Sequence, residues 1–247
     1  MRTANVNQFG LLVYERFYLW LNTTISAYLC ILMQVLLTAA TAKEIEPFLE
    51  LHRKSNKFSD VDVLITGIGL TSTAYHLTRQ MQLKRPDIII QAGVAGCFDK
   101  KIPLGSVLLI KQDAIADQSV IELKKLKTLF ALNLVPQNQF PFRKGWLVNT
   151  HLALAKKIRL KTVNGISVNQ ITTSKKMIRF YENEFHPVTE SMEGAALHYV
   201  CLMEKIPFLQ IRSISNYIGE RNKKKWNMKE SILNLNKSLI QLLESLS

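Results

Sequence analysis

Short apolar runs rich in β-branched residues alternate with segments of helical length along most of this chain, and this alternation most constrains its fold. The predicted strands are residues 34–39, 61–66, 87–92, 106–110, 163–168 and 207–214, and the predicted helices are residues 43–54, 71–84, 150–158, 174–184, 193–204 and 227–246. Strands that alternate with helices form a parallel or mixed sheet covered on both faces. The pattern therefore predicts an α/β fold that binds its ligands at the carboxyl ends of the strands.

Length and cysteine content limit the class of protein. The chain has 247 residues, of which 47% are hydrophobic, enough for one sizeable core and too few for two comfortable domains. Its three cysteines are far apart, and no histidine lies at the spacing of a metal ligand. Neither a disulfide framework nor a zinc site is predicted, and a reducing, cytoplasmic compartment is expected.

The formal charge of +13 favours an anionic partner. The lysines occur in small groups, such as residues 124–127 and 223–225, with no interleaved aromatic residues and no nucleic-acid motif. Nucleic acid is therefore not expected as a partner. Two interpretations stay open: a solvated basic surface, and attraction of an anionic small molecule.

The first forty residues allow three interpretations. No charged residue occurs from Phe17 to Ala42, which is typical of a signal peptide or a signal anchor. Alternatively, Met33 is the working start and the preceding residues are an upstream extension. We favour the last interpretation, because residues 34–39 form a first buried strand that the domain needs. The expectation is an N-terminal extension over residues 1–32, a single domain over residues 33–247, and no membrane attachment.

Residues 124–146 contain two prolines and one glycine and follow neither the strand nor the helix period. They are expected to form an irregular excursion, near the pocket or at a subunit contact.

Glycines follow two of the predicted strands, in Gly67-Ile68-Gly69 and in the run from Gly93 to Gly96. At such positions the backbone either turns tightly or passes close to a ligand. The first motif resembles the start of a dinucleotide fingerprint, but no acidic residue ends the next strand. Two such turns in adjacent units favour a shared ligand crevice over two separate tight turns.

Three polar residues lie where strands end or helices begin. Glu44 can act as a general base or can complement a helix dipole, and Glu46 is its rival. Glu193 lies at the start of a helix, where its carboxylate can cap the helix or accept hydrogen bonds from two ribose hydroxyls. Asn216 ends the last apolar strand. Its amide can form hydrogen bonds with a 6-oxopurine or can stabilise a turn.

Taken together, these segments resemble the nucleoside phosphorylase and nucleosidase superfamily over residues 33–245. The motifs that carry the resemblance are Thr66–Gly69, Pro86–Gly96, Gly105–Val107, Met192–Gly194 and Arg212–Asn216. The resemblance implies a three-layer α/β/α sandwich with a mixed central sheet. It also implies a small-molecule nucleoside substrate and a homo-oligomer, a dimer or higher.

Within this superfamily, the chain is most similar to the futalosine hydrolases. The similarity lies in the run from Glu190 to Ala196, in Ser215-Asn216, and in the downstream Arg221 and Trp226. Futalosine hydrolases cleave the N-glycosidic bond of futalosine, an intermediate of an alternative menaquinone pathway, and release hypoxanthine and dehypoxanthine futalosine. Futalosine also carries a benzoate group, which the basic surface can favour.

Two positions bear on the choice among related activities. Methylthioadenosine/S-adenosylhomocysteine nucleosidases carry aspartate where this chain has Asn216, and an amide in that place suits a 6-oxo base. Related phosphorylases hold phosphate with an arginine at the strand position of Gln91, so water is the expected nucleophile here. A methylthioadenosine-type nucleosidase, a purine nucleoside phosphorylase and a non-catalytic nucleoside-binding module remain the alternatives.

The resemblance also assigns roles to individual residues. Glu44 would activate water, Arg212 would help position it, and Asn216 would stabilise the departing base. Glu193 would hold the ribose, and Met192 would pack against the sugar. The other expected substrate-binding residues are Ala40, Gly69, Val94, Gly96 and Ser215. This chemistry requires neither a metal nor an organic cofactor.

Overall fold

A computed structural model describes residues 33–123 and 125–246. The expectations for residues 1–32 lie outside the described residues. Within the described ranges, no helix has the length and apolar character needed to cross a membrane.

The order of elements agrees with the sequence pattern. The strands are β1 (Val35–Ala39), β2 (Val61–Ile65), β3 (Ile88–Cys97), β4 (Val107–Asp113), β5 (Ser119–Glu122), β6 (Lys125–Thr128), β7 (Leu147–Val148), β8 (Lys161–Ser167), β9 (Thr189–Ser191) and β10 (Phe208–Tyr217). The α-helices are α1 (Glu46–Lys54), α2 (Leu70–Leu83), α3 (Lys175–Phe185), α4 (Gly194–Glu204) and α5 (Met228–Leu246), and 3-10 turns include Ala42–Ile45 and Leu152–Ile158. All six predicted strands are confirmed. The predicted helix over residues 150–158 is a 3-10 segment instead.

The central sheet is mixed and closes on itself. β1 pairs in parallel with β2 and β3, and β3 pairs in parallel with β10. β10 and β4 are antiparallel, β4 and β8 are parallel, and β8 and β9 are parallel. The short β9 then pairs with the far end of β3, so β3, β10, β4, β8 and β9 form a ring that β1 and β2 extend.

Helices cover both faces of the sheet, because successive strand residues point to opposite sides. On β1, Val35, Leu37 and Ala39 belong to an apolar cluster that includes Phe48 of α1 and the buried leucines of α5. Leu36 points to the other face, where it packs in a cluster with residues of α2 and α4. The predicted three-layer α/β/α architecture with a mixed central sheet is confirmed.

The pairing of β3 with β10 places two polar residues at one edge of the sheet. Arg212 is opposite Gly93, and Asn216 is opposite Gly96. The register shifts between Ile214 and Asn216, so Ser215 is an extra residue in β10. Such a bulge changes the direction of the side chains that follow it. It lies at the edge where the parallel strands β1, β2, β3 and β10 end.

Candidate active site

A cavity of about 380 Å³ opens at the carboxyl ends of these strands. Its wall includes eight of the ten residues predicted to form the site, namely Ala40, Glu44, Val94, Gly96, Met192, Glu193, Ser215 and Asn216. The other two, Gly69 and Arg212, are not part of the wall, but both contact Glu193. The fold therefore brings together residues that are far apart in sequence.

Glu44 lies in the 3-10 turn that follows β1, and three donors hold its carboxylate. Oε2 accepts hydrogen bonds from the backbone N (3.0 Å) and the Oγ1 (3.1 Å) of Thr41, while Oε1 accepts one from the backbone N of Val94 at 3.0 Å. The carboxylate is thus fixed between the ends of β1 and β3. Its rival Glu46 is exposed and is not part of the cavity wall.

Arg212 is buried beneath the cavity, with 1% of its surface exposed. Its Nη2 donates to Oε1 of Gln91 at 2.6 Å and lies 3.5 Å from Oε2 of Glu193. The adjacent residue on β3 must be Gly93, because a Cβ there would lie 2.2 Å from Nη1 of Arg212 and 3.0 Å from Oε1 of Glu44. The guanidinium therefore occupies the space that a side chain at position 93 would fill.

Glu193 is 5% exposed and immediately precedes α4. Its Oε1 accepts a hydrogen bond from the backbone N of Gly69 at 3.2 Å. Burial raises the pKa of this carboxyl, and the nearby Arg212 opposes that shift. Gly69 has φ of 98°, which favours glycine at this turn.

Asp113, which the sequence did not predict as a site residue, is linked to the start of α4 through Ser167. The hydroxyl of Ser167 donates to Oδ1 of Asp113 at 3.0 Å and accepts from the backbone N of Ala195 at 2.8 Å. A Cβ at Gly194 would lie 2.2 Å from Oδ2 of Asp113. Burial raises the pKa of Asp113 to about 6. A lone acid at the end of a strand gave no signal that it would meet the helix of Glu193.

The amide of Asn216 is oriented by its own strand. Its Oδ1 accepts a hydrogen bond from Oγ of Ser215 at 2.9 Å, and its Nδ2 donates to the carbonyl of Tyr217 at 3.2 Å. An amide has two N–H donors and two oxygen lone pairs. One donor and one acceptor therefore remain for a ligand in the cavity.

The loop that follows β10 adds a basic and aromatic part to the cavity wall. The guanidinium carbon of Arg221 lies 5.8 Å from the ring centroid of Trp226, within the range of a cation–π contact. Trp226 is held by a hydrogen bond from its Nε1 to the carbonyl of Glu220 at 3.1 Å. Lys43 and Glu190 also line the cavity, and sequence reasoning assigned neither to the site.

Helix α5 fastens the turn that carries Glu44. The side chain of Asn236 donates from Nδ2 to the carbonyl of Glu44 at 2.9 Å, and its Oδ1 accepts from the backbone N of Phe48 at 3.0 Å. Asn236 is 2% exposed; its bond to Phe48 is buried and its bond to Glu44 is partly buried. This contact joins the first part of the described chain to its last helix.

Comparison with known proteins places this architecture in a family. The profile of the phosphorylase superfamily matches residues 35–246. The futalosine hydrolase of Thermus thermophilus is 27% identical over 201 residues, which are 80% of this chain and 88% of that protein. The 5′-methylthioadenosine/S-adenosylhomocysteine nucleosidase of Buchnera aphidicola is 24% identical over 172 residues, 68% of this chain and 71% of that protein.

Solved structures show the same fold. The native futalosine hydrolase of Helicobacter pylori superposes with a TM-score of 0.70 at 22% identity, covering 87% of this chain and 98% of that one. A mutant 5′-methylthioadenosine/S-adenosylhomocysteine nucleosidase from the same organism, with 5′-methylthioadenosine in its active site, gives a TM-score of 0.70 at 22% identity and covers 86% and 98%. The chain belongs to the phosphorylase superfamily, and these similar proteins within it are nucleosidases.

Proposed function

We propose that this protein hydrolyses the N-glycosidic bond of futalosine, releasing hypoxanthine and leaving dehypoxanthine futalosine for menaquinone biosynthesis. Asn216 carries the proposal. Its remaining N–H can donate to the 6-oxo group of hypoxanthine, while its remaining lone pair accepts the proton that arrives on the imidazole-side nitrogen. The similarity to the Thermus thermophilus futalosine hydrolase supports the same substrate.

The proposed reaction begins with a water held near Glu44 and Arg212. The bond between C1′ and the purine nitrogen lengthens, its electron pair moves onto the base, and the sugar takes on oxocarbenium character. Glu44 accepts a proton from the water as the water oxygen bonds to C1′. A proton from solvent water binds the imidazole-side nitrogen of the base as it leaves, and Asn216 stabilises the neutral base by hydrogen bonds.

Other residues bind the substrate in this proposal. The carboxylate of Glu193 accepts hydrogen bonds from the ribose hydroxyls, and Met192 packs against the sugar. Nη2 of Arg212 donates to Gln91 and pairs with Glu193, so this nitrogen of the guanidinium is engaged by protein groups. This engagement favours water over phosphate as the nucleophile.

The direct test is chromatographic detection of free base after incubation with futalosine, methylthioadenosine or inosine, each with and without phosphate. We expect hypoxanthine from futalosine at a rate independent of phosphate. Preferred release of adenine from methylthioadenosine would instead assign the methylthioadenosine-type activity. Release that requires phosphate would contradict hydrolysis, and release from none of the three would contradict the proposed substrate class.

We further infer that residues 33–247 make up the nucleosidase domain and that it works in the cytoplasm as a homo-oligomer, a dimer or higher. Light scattering of the purified protein measures the assembly. A monomer that retains full turnover would contradict the oligomeric part of this inference.

A further inference from the structure

Some charged side chains in the cavity wall have protein partners, whereas others do not. Four carboxylates line it, of which Glu44 is held by Thr41 and Val94, and Glu193 pairs with Arg212. The other two, Glu190 and Glu220, are also engaged: Glu190 accepts from the backbone N of Thr172 at 3.0 Å, and Glu220 lies 3.0 Å from Nζ of Lys225. Each of the four carboxylates therefore has a protein partner on at least one oxygen, while Oε2 of Glu190 is buried without one.

Arg221 differs from these groups. Across residues 33–123 and 125–246, no carboxylate lies within 4.0 Å of its guanidinium, and its contact is with the ring of Trp226. The neighbouring Glu220, which could have neutralised it, is bound to Lys225 and accepts from the backbone N of Asn222 at 2.8 Å. The cavity thus presents an unpaired cation beside an indole.

This part of the wall is anchored next to the residue proposed to hold the base. The backbone N of Asn227, which follows Trp226, donates to the carbonyl of Ser215 at 2.8 Å. Apolar side chains of Ile218, Met228 and Ile232 line the same cavity. The cavity that holds the Arg221 guanidinium therefore also offers an apolar surface to a ligand.

We propose that Arg221 and Trp226 form a second subsite that binds a carboxylate carried on an apolar or aromatic substituent of the nucleoside. A guanidinium holds a carboxylate with two parallel hydrogen bonds, and the indole supplies a flat apolar surface for the group that bears it. The inference rests on the proposed function, because the benzoate of futalosine is a carboxylate of this class. It assigns the recognition of that end of the substrate to one residue pair.

The test compares two substrates that differ only in charge: futalosine, and its carboxamide, in which the benzoate is a primary amide. In Arg221→Gln, we expect the ratio of kcat/KM for futalosine to kcat/KM for the carboxamide to fall at least about tenfold, as expected for losing a charge-assisted bidentate contact. The change should appear in KM rather than in kcat. Arg221→Lys should restore only part of the ratio, since an ammonium lacks the planar fork.

Lys224→Gln is the matched control, because it removes the same charge from an exposed residue nearby that is not in the cavity wall. An equal loss in the ratio for both variants would mean that general electrostatic attraction is responsible, and the subsite would be wrong. A ratio unchanged by Arg221→Gln would overturn it as well.

Calorimetric binding of the same two nucleosides separates this inference from the proposed function. If the wild type binds both compounds but hydrolyses neither, the hydrolase proposal fails while the Kd ratio in Arg221→Gln still decides the subsite. If the wild type binds the carboxamide as tightly as futalosine, Arg221 does not recognise the carboxylate.

Discussion

At the scale of single residues, the candidate site depends on close packing around two charged side chains. Gly93 leaves room for the Arg212 guanidinium, and the Glu44 carboxylate lies against the same stretch of β3. Three donors fix the direction of that carboxylate. A group fixed in this way needs no rearrangement before it accepts a proton from water.

We expect Glu44→Gln to lower kcat by at least about 100-fold, because an amide cannot accept the proton of the attacking water. The fold should remain, since the substitution preserves the size of the side chain. Base release measures the first effect and circular dichroism the second. Glu46→Gln is the matched control, as Glu46 is exposed outside the cavity. Near-normal turnover in Glu44→Gln would remove Glu44 from the proposed mechanism.

Asn216→Asp should move base preference from 6-oxo towards 6-amino purines. A protonated aspartic acid donates to the ring nitrogen and its other oxygen accepts from a 6-amino group, whereas the amide donates towards a 6-oxo group. The measurement is the ratio of kcat/KM for futalosine to that for methylthioadenosine, in the wild type and the variant. An unchanged ratio would show that Asn216 does not discriminate between 6-oxo and 6-amino groups of the base.

At the scale of secondary structure, the sequence pattern predicts the strands that carry the site because each is a buried apolar run. It does not predict β9, whose Thr189, Glu190 and Ser191 are all buried yet polar. It also does not predict the β5–β6 hairpin, which is partly exposed, with β6 falling inside the expected irregular excursion over residues 124–146. Hydrophobic periodicity indicates which apolar side chains are buried. Strands that are polar or exposed are therefore not predicted from it.

The candidate site likewise contains some residues that the sequence pattern predicts and others that it does not. Glu44, Glu193 and Asn216 were predictable because each lies at the end of an element, where side chains converge on the sheet edge. Asp113 was not predictable, since its role depends on Ser167 and on the start of α4, which the pairing of β4 with β8 and of β8 with β9 brings together. Contacts between elements distant in sequence leave no local pattern.

Besides its buried leucines, helix α5 has one side chain, that of Asn236, that bonds to the Glu44 turn. Asn236→Ala would leave the buried N–H of Phe48 and the carbonyl of Glu44 without their partner. We expect the free energy of unfolding to fall by about 1–3 kcal/mol and kcat to fall as the Glu44 turn loosens. Urea unfolding and base release measure these effects.

The adjacent exposed residue gives the control for this prediction. Lys237→Ala should change the free energy of unfolding by no more than about 0.5 kcal/mol. A loss of similar size in Lys237→Ala and Asn236→Ala would mean that the helix, and not its bonds to the Glu44 turn, determines the effect.

At the scale of the whole molecule, two fully buried groups act in opposite directions on stability between pH 4 and 6. Burial raises the pKa of Asp113 from 3.8 to about 6, and it lowers the pKa of His198 from 6.5 to about 4. The Asp113 contribution to stability is complete below pH 3.8 and is lost as the pH rises through 6. The His198 contribution is complete above pH 6.5 and is lost as the pH falls through 4.

Single substitutions should expose these opposing contributions. In Asp113→Asn, the free energy of unfolding should rise with pH between 4 and 6 more steeply than in the wild type, by up to about 1.4 kcal/mol per pH unit. In His198→Gln, the change relative to the wild type should have the opposite sign. Urea unfolding at a series of pH values measures both. Curves parallel to that of the wild type would show that neither group titrates as proposed.

The hydrogen bond between Asn236 and the Glu44 turn joins positions 192 residues apart. During synthesis, the two bonded residues therefore leave the ribosome at different times. The turn with the proposed base leaves the ribosome before α5, the helix whose Asn236 fastens it. A nascent chain that has not reached Asn236 holds Glu44 without this support. We therefore expect hydrolysis to begin only after α5 has been synthesised, so that chains truncated before Asn236 consume little nucleoside.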